Sequence, residues 1–280
     1  MEISSHSSLS TAQFFQAHPV FTTSEFYDFL QHRGSSENPQ TRRNLLQYFR
    51  RRGAISPIRR GIYFSVPPGS DQKSYPVDGY LLAAKLAEDA VLSYHAALEL
   101  HGRSYSVHNQ FPYLTKKHPA GRIFTFQGMQ FRSVEPPTGL VRAGKEDFGI
   151  SKVDRLGQDV RVTSLERTLV DVIDRPKLSG GWEEIWRSLE TIPYFDIDQI
   201  IEYALLLGKR KTIAIVGLYL EQHAKELMVT DTQLAILEQK RPAEPQYVTK
   251  RTSTERGKLV SRWNLVVPEA IITRSWEEPA

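Results

Sequence analysis

The sequence predicts an α+β protein with a small N-terminal part and a larger, mixed C-terminal part. Three observations support this fold class. Strand-like and helical stretches are segregated along the 280 residues instead of alternating. Arginine is concentrated near the N-terminus, between Pro39 and Gly61. A stretch rich in Pro, Gly and Ser follows at residues 66–74 and is typical of a connecting segment.

Composition excludes several classes of protein. The chain has no cysteine, which rules out a disulfide scaffold, a thiolate zinc site, an iron–sulfur cluster and a cysteine nucleophile. The longest apolar run, residues 213–220, is far shorter than the ~18 residues that a membrane span needs. The first ten residues lack the basic start and apolar stretch of a signal peptide. We therefore expect a cytoplasmic protein without a membrane partner.

The charge of the chain is unevenly distributed. Seven arginines and no acidic residue lie between Pro39 and Gly61, so this segment carries +7 and leaves −3 for the remainder of a chain whose formal charge is +4. The seven are Arg42, Arg43, Arg50, Arg51, Arg52, Arg59 and Arg60. Such a cluster on a neutral-to-acidic body indicates a module that binds a polyanion. A solvated arginine-rich helix is the alternative, which the lack of neighbouring acidic partners disfavours.

Two helices are predicted before this segment. The first covers residues 9–17 and ends before Pro19, because the residue preceding a proline is driven out of the α region. The second begins at residues 22–25, where three hydroxyl side chains precede an acid in the first turn. Residues 32–37 then interrupt the helical pattern.

A third helix and a hairpin complete the N-terminal part. Asn38 is the predicted N-cap of the helix, Pro39 takes the first helical position and Gly53 ends it. Residues 55–64 are β-branched and aromatic and predict two short strands, with Gly61 interpreted as a strand bend. Three helices and a basic hairpin form the plan of a winged helix-turn-helix, assigned to residues 1–66. In that plan, the helix after the turn enters the major groove of DNA.

A helical wheel of the third helix separates two faces. Leu45, Leu46 and Phe49 share the face predicted to be buried. The opposite face carries only amide and guanidinium side chains, and we expect it to contact base edges: Gln40, Arg43, Asn44, Gln47 and Arg51. Arginine pairs well with guanine, and asparagine or glutamine with adenine.

Other residues of this part are assigned to phosphates. Arg42 falls inside the apolar arc near the helix start, so its long side chain is expected to reach outward to a phosphate. The remaining phosphate contacts are predicted for the third helix and for the start of the second: Arg50, Arg52, Thr22, Thr23 and Ser24. Arg59 and Arg60 point to opposite sides of one strand, so one is expected to contact DNA while the other braces the hairpin.

Residues 67–75 are the predicted linker, and residues 76–280 form the larger part, with a subdivision near residue 178. Helices are predicted at residues 80–86, 94–101, 165–173, 182–189, 197–207, 212–227 and 232–240, and Ser93 is expected to cap the second of them. Strands are predicted at residues 111–115, 122–126, 129–134, 150–156, 160–163, 246–249 and 258–267, with turns at Gln127-Gly128 and around Gly157.

No constellation of catalytic residues is evident. Residues 139–146 approach a P-loop, but Glu146 replaces the Ser or Thr that must hold magnesium, and we interpret them as a loop between strands. The eight histidines show no metal-ligand spacing, and His95 and His101, six residues apart, face different sides of a helix. We therefore predict no catalytic residue, metal or cofactor. A nuclease or a phosphate-handling enzyme is the alternative class.

Residues 163–166 form a capping box that opens a helix carrying Arg167 and Asp171. These two residues are four apart and can pair on one helical face. A structural ion pair is the main interpretation, and a contact with a partner protein is the alternative.

Four motifs in the same order resemble a known family. They are residues 59–63 (RRGIY), 90–102 (AVLSYHAALELHG), 163–171 (TSLERTLVD) with the glycines 180–181, and 262–268 (RWNLVVP). Together they resemble the AbiEi-type antitoxins and transcriptional regulators of type IV toxin–antitoxin and abortive-infection systems. The resemblance covers nearly the whole chain. The segment 32–38 looks longer than the turn of that family.

The resemblance implies a winged helix that represses its own operon by binding inverted repeats, which would favour two copies of the chain on the DNA. It also implies that residues 76–280 counter a nucleotidyltransferase toxin encoded nearby. The family has no established catalytic residues to carry over. Some of its members are solitary regulators without a toxin, and that alternative stays open.

Overall fold

A computed structural model of the chain describes residues 10–34, 38–249 and 257–273. Its N-terminal part consists of α1 (Thr11–Ala17), β1 (Val20–Thr22), α2 (Thr23–His32), α3 (Pro39–Arg51), β2 (Ile55–Arg59) and β3 (Ile62–Ser65). The three predicted helices and the hairpin are present at these positions. Leu9 of the first predicted helix and residues 35–37 of the predicted turn lie outside the described residues.

Side-chain caps define where these helices begin. The Ser10 hydroxyl accepts a hydrogen bond from the Gln13 N–H at the start of α1. Thr22 and Glu25 form a reciprocal capping box at the start of α2. Asn38 Oδ1 accepts from the Gln40 N–H at 2.8 Å, and Pro39 takes the first position of α3. The helix starts predicted from the residue types at Thr22 and Asn38 are therefore confirmed.

The three N-terminal strands form an antiparallel sheet in the order β1-β3-β2. The short strand β1 was not predicted; it pairs with β3, with Val20 opposite Phe64. Gly61 adopts φ +81° in the turn between β2 and β3, so its interpretation as a strand bend is wrong. A residue without Cβ is favoured there, because this φ is costly for other residues.

A mixed six-stranded sheet is the centre of the larger part. Its strands are β4 (Val91–Leu92), β5 (Gln110–Leu114), β6 (Ile123–Phe126), β7 (Met129–Val134), β8 (Ile150–Arg155) and β9 (Gln158–Thr163), in the order β6-β7-β5-β4-β9-β8. Strand β5 pairs with β7 in parallel, as does β4 with β9, and the other pairs are antiparallel. The turns at Gln127-Gly128 and Leu156-Gly157 have positive φ at both residues, which suits two-residue hairpins.

Helices cover this sheet and form a C-terminal layer. They are α4 (Gly79–Lys85), α5 (His95–Leu100), α6 (Thr138–Ala143), α7 (Leu165–Asp174), α8 (Trp182–Glu190), α9 (Ile197–Leu207), α10 (Arg210–Gln222), α11 (Asp231–Glu238) and α12 (Glu269–Thr273). A second sheet consists of β10 (Gln246–Tyr247), β11 (Gly257–Val260) and β12 (Leu265–Pro268). Trp263 is fully buried against α10, where a Cβ on Gly217 would come within 2.2 Å of its ring. The protein is thus α+β.

The N-terminal sheet shares a hydrophobic core with the larger part. Ile62 and Phe64 of β3 belong to the same buried cluster as Leu81 and Leu82 of α4 and Phe131 of the central sheet. An ion pair between Glu25 and Lys85 joins α2 to α4. A separate cluster of phenylalanines and aliphatic side chains fills the space beneath α1, α2 and α3.

Four further local predictions are wrong. The capping box predicted at residues 163–166 is absent: Ser164 is the N-cap of α7, and its hydroxyl accepts from the Arg167 N–H at 3.3 Å. Ser93 does not cap α5, because Tyr94 takes the N-cap position with φ +56° and makes no side-chain cap. Residues 138–143 form α6 instead of a loop, and Gly144 ends it in the left-handed conformation. The helix predicted to reach residue 227 stops at Gln222. Among the described residues, no helix combines the length and the apolar character needed to cross a bilayer.

Candidate nucleic-acid interface

Helix α3 presents one face to solvent and packs the other against the N-terminal core. Leu46 is buried, and Leu45 and Phe49 are partly buried in the same cluster. The side chains of the predicted base-contacting face are all exposed: Gln40, Arg43, Asn44, Gln47 and Arg51. Gln40 Nε2 donates to Asn44 Oδ1 at 3.0 Å, which holds two of these amides in register along the helix.

The remaining arginines of α3 border this face. Arg50 and Arg52 are exposed, and the Arg52 guanidinium lies 5.0 Å from the ring centroid of Tyr48. Arg42 is partly buried, with its guanidinium 5.7 Å from the Tyr27 ring centroid. Its side chain therefore covers an aromatic ring at the helix surface, and its contact with a phosphate stays a prediction. Within the described ranges, Arg43, Arg50, Arg51 and Arg52 form no ion pair with a carboxylate.

Tyr48 is a residue of this surface that sequence reasoning missed. Its side chain is 46% exposed, unlike that of the neighbouring Phe49. The signal in the sequence is an aromatic residue between amide and arginine side chains on one helix. A phenol beneath the Arg52 guanidinium limits the positions that this cation can take.

The two arginines of the hairpin have different surroundings. Arg60 is exposed in the turn, whereas the Arg59 guanidinium lies 5.7 Å from the ring centroid of Phe124 in β6. Arg59 is therefore the residue that braces the hairpin against the larger part, and Arg60 is the one directed to solvent.

The start of α2 does not fit its predicted phosphate contacts. The Glu25 carboxylate accepts from the Thr22 N–H at 2.7 Å and is paired with Lys85, so a negative charge already occupies this helix terminus. The Thr22 hydroxyl is part of the cap, and the Thr23 hydroxyl donates to the Gly61 carbonyl at 3.3 Å. Both hydroxyls are thus engaged within the protein, and of the three residues predicted to hold phosphates here only Ser24 is exposed.

The charge state of Glu25 follows from these contacts. Burial raises the pKa of its carboxyl, but the Lys85 ammonium and the hydrogen bonds from Thr22 outweigh burial. The net pKa lies below the ordinary value, so Glu25 is ionised at neutral pH.

The Arg167–Asp171 pair lies inside the protein. The two side chains are 1% and 2% exposed, and Arg167 Nε lies 3.4 Å from Asp171 Oδ2. Arg167 also donates to the Phe148 carbonyl at 2.6 Å, and Asp171 accepts from the Tyr203 hydroxyl at 2.5 Å. Burial raises the pKa of Asp171, although Arg167 and Tyr203 act in the opposite direction. The alternative of a partner contact is wrong, because neither side chain reaches the surface.

A group of histidines and carboxylates in the larger part was also missed. His95 begins α5, His108 precedes β5 and Glu184 lies in the first turn of α8. One ligand atom from each residue lies within 4.8 Å of those from the other two. The three segments are far apart in the chain, so sequence spacing could not reveal the group. Burial lowers the pKa of His95, but the neighbouring carboxylates of Glu99 and Glu184 raise it above its ordinary value.

Comparisons with known proteins bear on the fold. No protein-family model matches the chain, and no curated protein matches it. The structure is similar to the crystal structure of the RV2827C protein from Mycobacterium tuberculosis, with a TM-score of 0.56 and 19% sequence identity. The likeness covers 92% of this chain and 90% of that one. At this identity it concerns the fold, which the two chains share over nearly their whole lengths.

Proposed function

We propose that the protein is a sequence-specific DNA-binding regulator, with residues 1–66 as a winged helix-turn-helix and α3 as its recognition helix. The observation that carries the proposal is the exposed face of α3, which contains amide and guanidinium groups and no acid. The order helix, strand, helix, helix, hairpin, with the sheet order β1-β3-β2, suits this assignment.

The dimensions of α3 suit a major groove. Its 13 residues extend over about 20 Å, and a helix with its side chains is about 10–12 Å across, close to the ~12 Å width of the groove. With the face of Gln47 and Arg51 turned to the base edges, Arg43 and Asn44 would reach neighbouring bases on the same side. This leaves Arg42, Arg50 and Arg52 beside the phosphates.

The hairpin supplies a second contact. Arg60 in its turn is exposed, while Arg59 anchors the hairpin through Phe124. Arg60 would then follow the phosphate backbone or enter an adjacent minor groove. The rest of the chain carries a net charge of −3, so the excess of positive charge lies in this segment.

The test is binding of the full chain to the DNA upstream of its own gene, measured by fluorescence anisotropy at several salt concentrations. We expect affinity to fall steeply as salt rises, because phosphate contacts release counterions. Substituting Arg51→Ala or Gln47→Ala should weaken binding to the preferred sequence by about 1–3 kcal/mol and reduce discrimination against other sequences.

Lys152→Ala is the matched control, because it removes an exposed cation on β8 that belongs neither to α3 nor to the N-terminal hairpin. It should leave both affinity and sequence preference unchanged. If Arg51→Ala and Gln47→Ala bind every sequence as the parent does, α3 is not the recognition helix.

The four-motif resemblance extends this proposal to an autorepressor that serves as an antitoxin against a nucleotidyltransferase toxin. The test is co-expression of the full chain, or of its Arg51→Ala variant, with the neighbouring gene. Rescue of growth by both proteins supports an antitoxin role that is separate from DNA binding. Toxicity that persists with both, or a neighbouring gene that is harmless alone, favours a solitary regulator.

A further inference from the structure

We propose that His95, His108 and Glu184 form a binding site for a zinc-class transition-metal ion in the larger part of the protein. Two imidazoles and one carboxylate are a donor set that suits Zn²⁺, and three protein ligands leave one coordination position open. The site is distant from α3 in the chain and does not depend on the proposed DNA binding.

The contacts of His95 carry the first step. Its Nδ1 lies 3.0 Å from Glu99 Oε1 and its Nε2 lies 3.1 Å from Glu184 Oε1. A carboxylate facing one imidazole nitrogen is the usual device that fixes the tautomer of a metal-bound histidine. In the neutral ring with its proton on Nδ1, Nε2 directs a lone pair at Glu184, whose ionised carboxylate oxygens also only accept.

Two acceptors at this distance need a metal ion or a proton between them. With bonds of about 2.0–2.1 Å, a tetrahedral zinc ion holds neighbouring ligand atoms roughly 3.3 Å apart. The measured separation of 3.1 Å between His95 Nε2 and Glu184 Oε1 is close to that value. A proton shared by these atoms is the competing occupant, and the experiment below distinguishes the two.

His108 supplies the third ligand. Its ring stacks on that of His95, with centroids 3.7 Å apart and planes inclined by 5°. Parallel rings direct their lone pairs side by side, so His108 must turn about its side-chain bonds to close the site. His108 borders an open polar cavity of about 420 Å³, which provides room for that turn and a route for an ion.

The surroundings are built closely around these side chains. Ser106 Oγ donates to Glu184 Oε2 at 2.7 Å and lies 3.1 Å from His108 Nε2. A Cβ on Gly180 would come within 2.8 Å of His108 Cε1 and 2.9 Å of the Glu184 side chain. Position 180 therefore requires glycine both for its φ of +77° and for this contact. Bound metal would join α5, the segment before β5 and α8.

The experiment uses the full chain after removal of metal with EDTA and exchange into buffer. Titration with Zn²⁺, followed by calorimetry, should show one ion per chain, and Co²⁺ should give the visible absorption of a tetrahedral site. His108→Gln and Glu184→Gln should each weaken binding at least tenfold. His32→Ala, which removes an exposed histidine of α2, should bind as the parent does.

A stability measurement keeps the test informative if a variant folds poorly. The unfolding midpoint of the parent should rise with added Zn²⁺ and return with EDTA, because a ligand that binds the folded chain stabilises it. Absence of both the stoichiometric heat and the midpoint rise would overturn the proposal. Equal zinc affinity in the parent and both glutamine variants would do so as well, and His95 would then hold only a proton.

Discussion

At the scale of single residues, the role of an arginine side chain depends on whether it is buried. Arg51 and Arg167 are both arginines on helices, yet Arg51 is exposed while Arg167 is 1% exposed and hydrogen-bonded to a backbone carbonyl. Helical periodicity in the sequence predicted the exposed face of α3, because burial there depends on a single helix packing on one core. The position of Arg167 depends on α7, α9 and the segment before β8 together.

Arg167→Met should be strongly destabilising, because it leaves the Asp171 carboxyl buried with only the Tyr203 hydroxyl as partner. We expect the free energy of unfolding to fall by about 3–5 kcal/mol in urea titrations. Lys152→Ala is the comparison, since its pair with Asp159 is two-thirds exposed and should contribute less than about 1 kcal/mol. If the free energy of unfolding falls no more for Arg167→Met than for Lys152→Ala, the buried pair contributes no more to stability than the exposed one.

The histidine group shows where prediction from sequence stops at this scale. His95, His108 and Glu184 carry no mutual spacing, because the fold brings them together from two helices and a loop. Spacing along one helix, such as that between His95 and His101, therefore could not reveal that His108 and Glu184 lie beside His95.

At the scale of elements, residue types at helix ends and turns predicted much of the structure. The starts of α2 and α3 followed from capping side chains, and the β6–β7 hairpin from Gln127-Gly128. Short elements were missed, since three residues of β1 or two of β4 contain no periodicity and exist through their pairing with other strands. Position 94 was misjudged because tertiary packing holds Tyr94 at a positive φ.

The capping box of α2 predicts a dependence of stability on pH. The pKa of Glu25 is lowered in the folded chain, so its contribution is fully present above the unfolded-state pKa and is lost as the pH falls through the folded-state pKa. Glu25→Gln should lower the free energy of unfolding by about 1 kcal/mol at pH 7 and by less below pH 4.

Urea titrations at both pH values provide the measurement. Glu88→Gln, which neutralises an exposed acid just beyond α4, should show no comparable change between the two conditions. A loss for Glu25→Gln that grows as the solution is acidified would contradict the assignment of an ionised, capping carboxylate.

At the scale of the whole molecule, the N-terminal sheet and the larger part share one hydrophobic core. We therefore expect the two parts to unfold together. Phe64 of β3 is 3% exposed and packs near Tyr75 and Phe126, with ring centroids 6.4 and 6.2 Å away. Composition predicted a connecting segment at residues 67–75, but it could not show that the N-terminal sheet shares a core with α4, because that contact depends on the complementarity of two distant surfaces.

Phe64→Ala should therefore destabilise regions far from the N-terminus. All four tryptophans lie beyond residue 181, so their fluorescence reports on the larger part. We expect the unfolding free energy measured by this fluorescence to fall by about 3–5 kcal/mol. Tyr194→Ala, at an exposed aromatic, should cause little change. A fluorescence transition that Phe64→Ala leaves unchanged would mean that the two parts unfold independently.

The core that the N-terminal sheet shares with α4 also restricts geometry. A freely jointed tether between the two parts would let α3 swing relative to the larger part. Here Ile62 and Phe64 seat the hairpin in the body, and Glu25 with Lys85 seats α2. The orientation of α3 is therefore set by the body as a whole. If α3 enters a groove as we propose, the larger part is carried to a fixed side of the duplex.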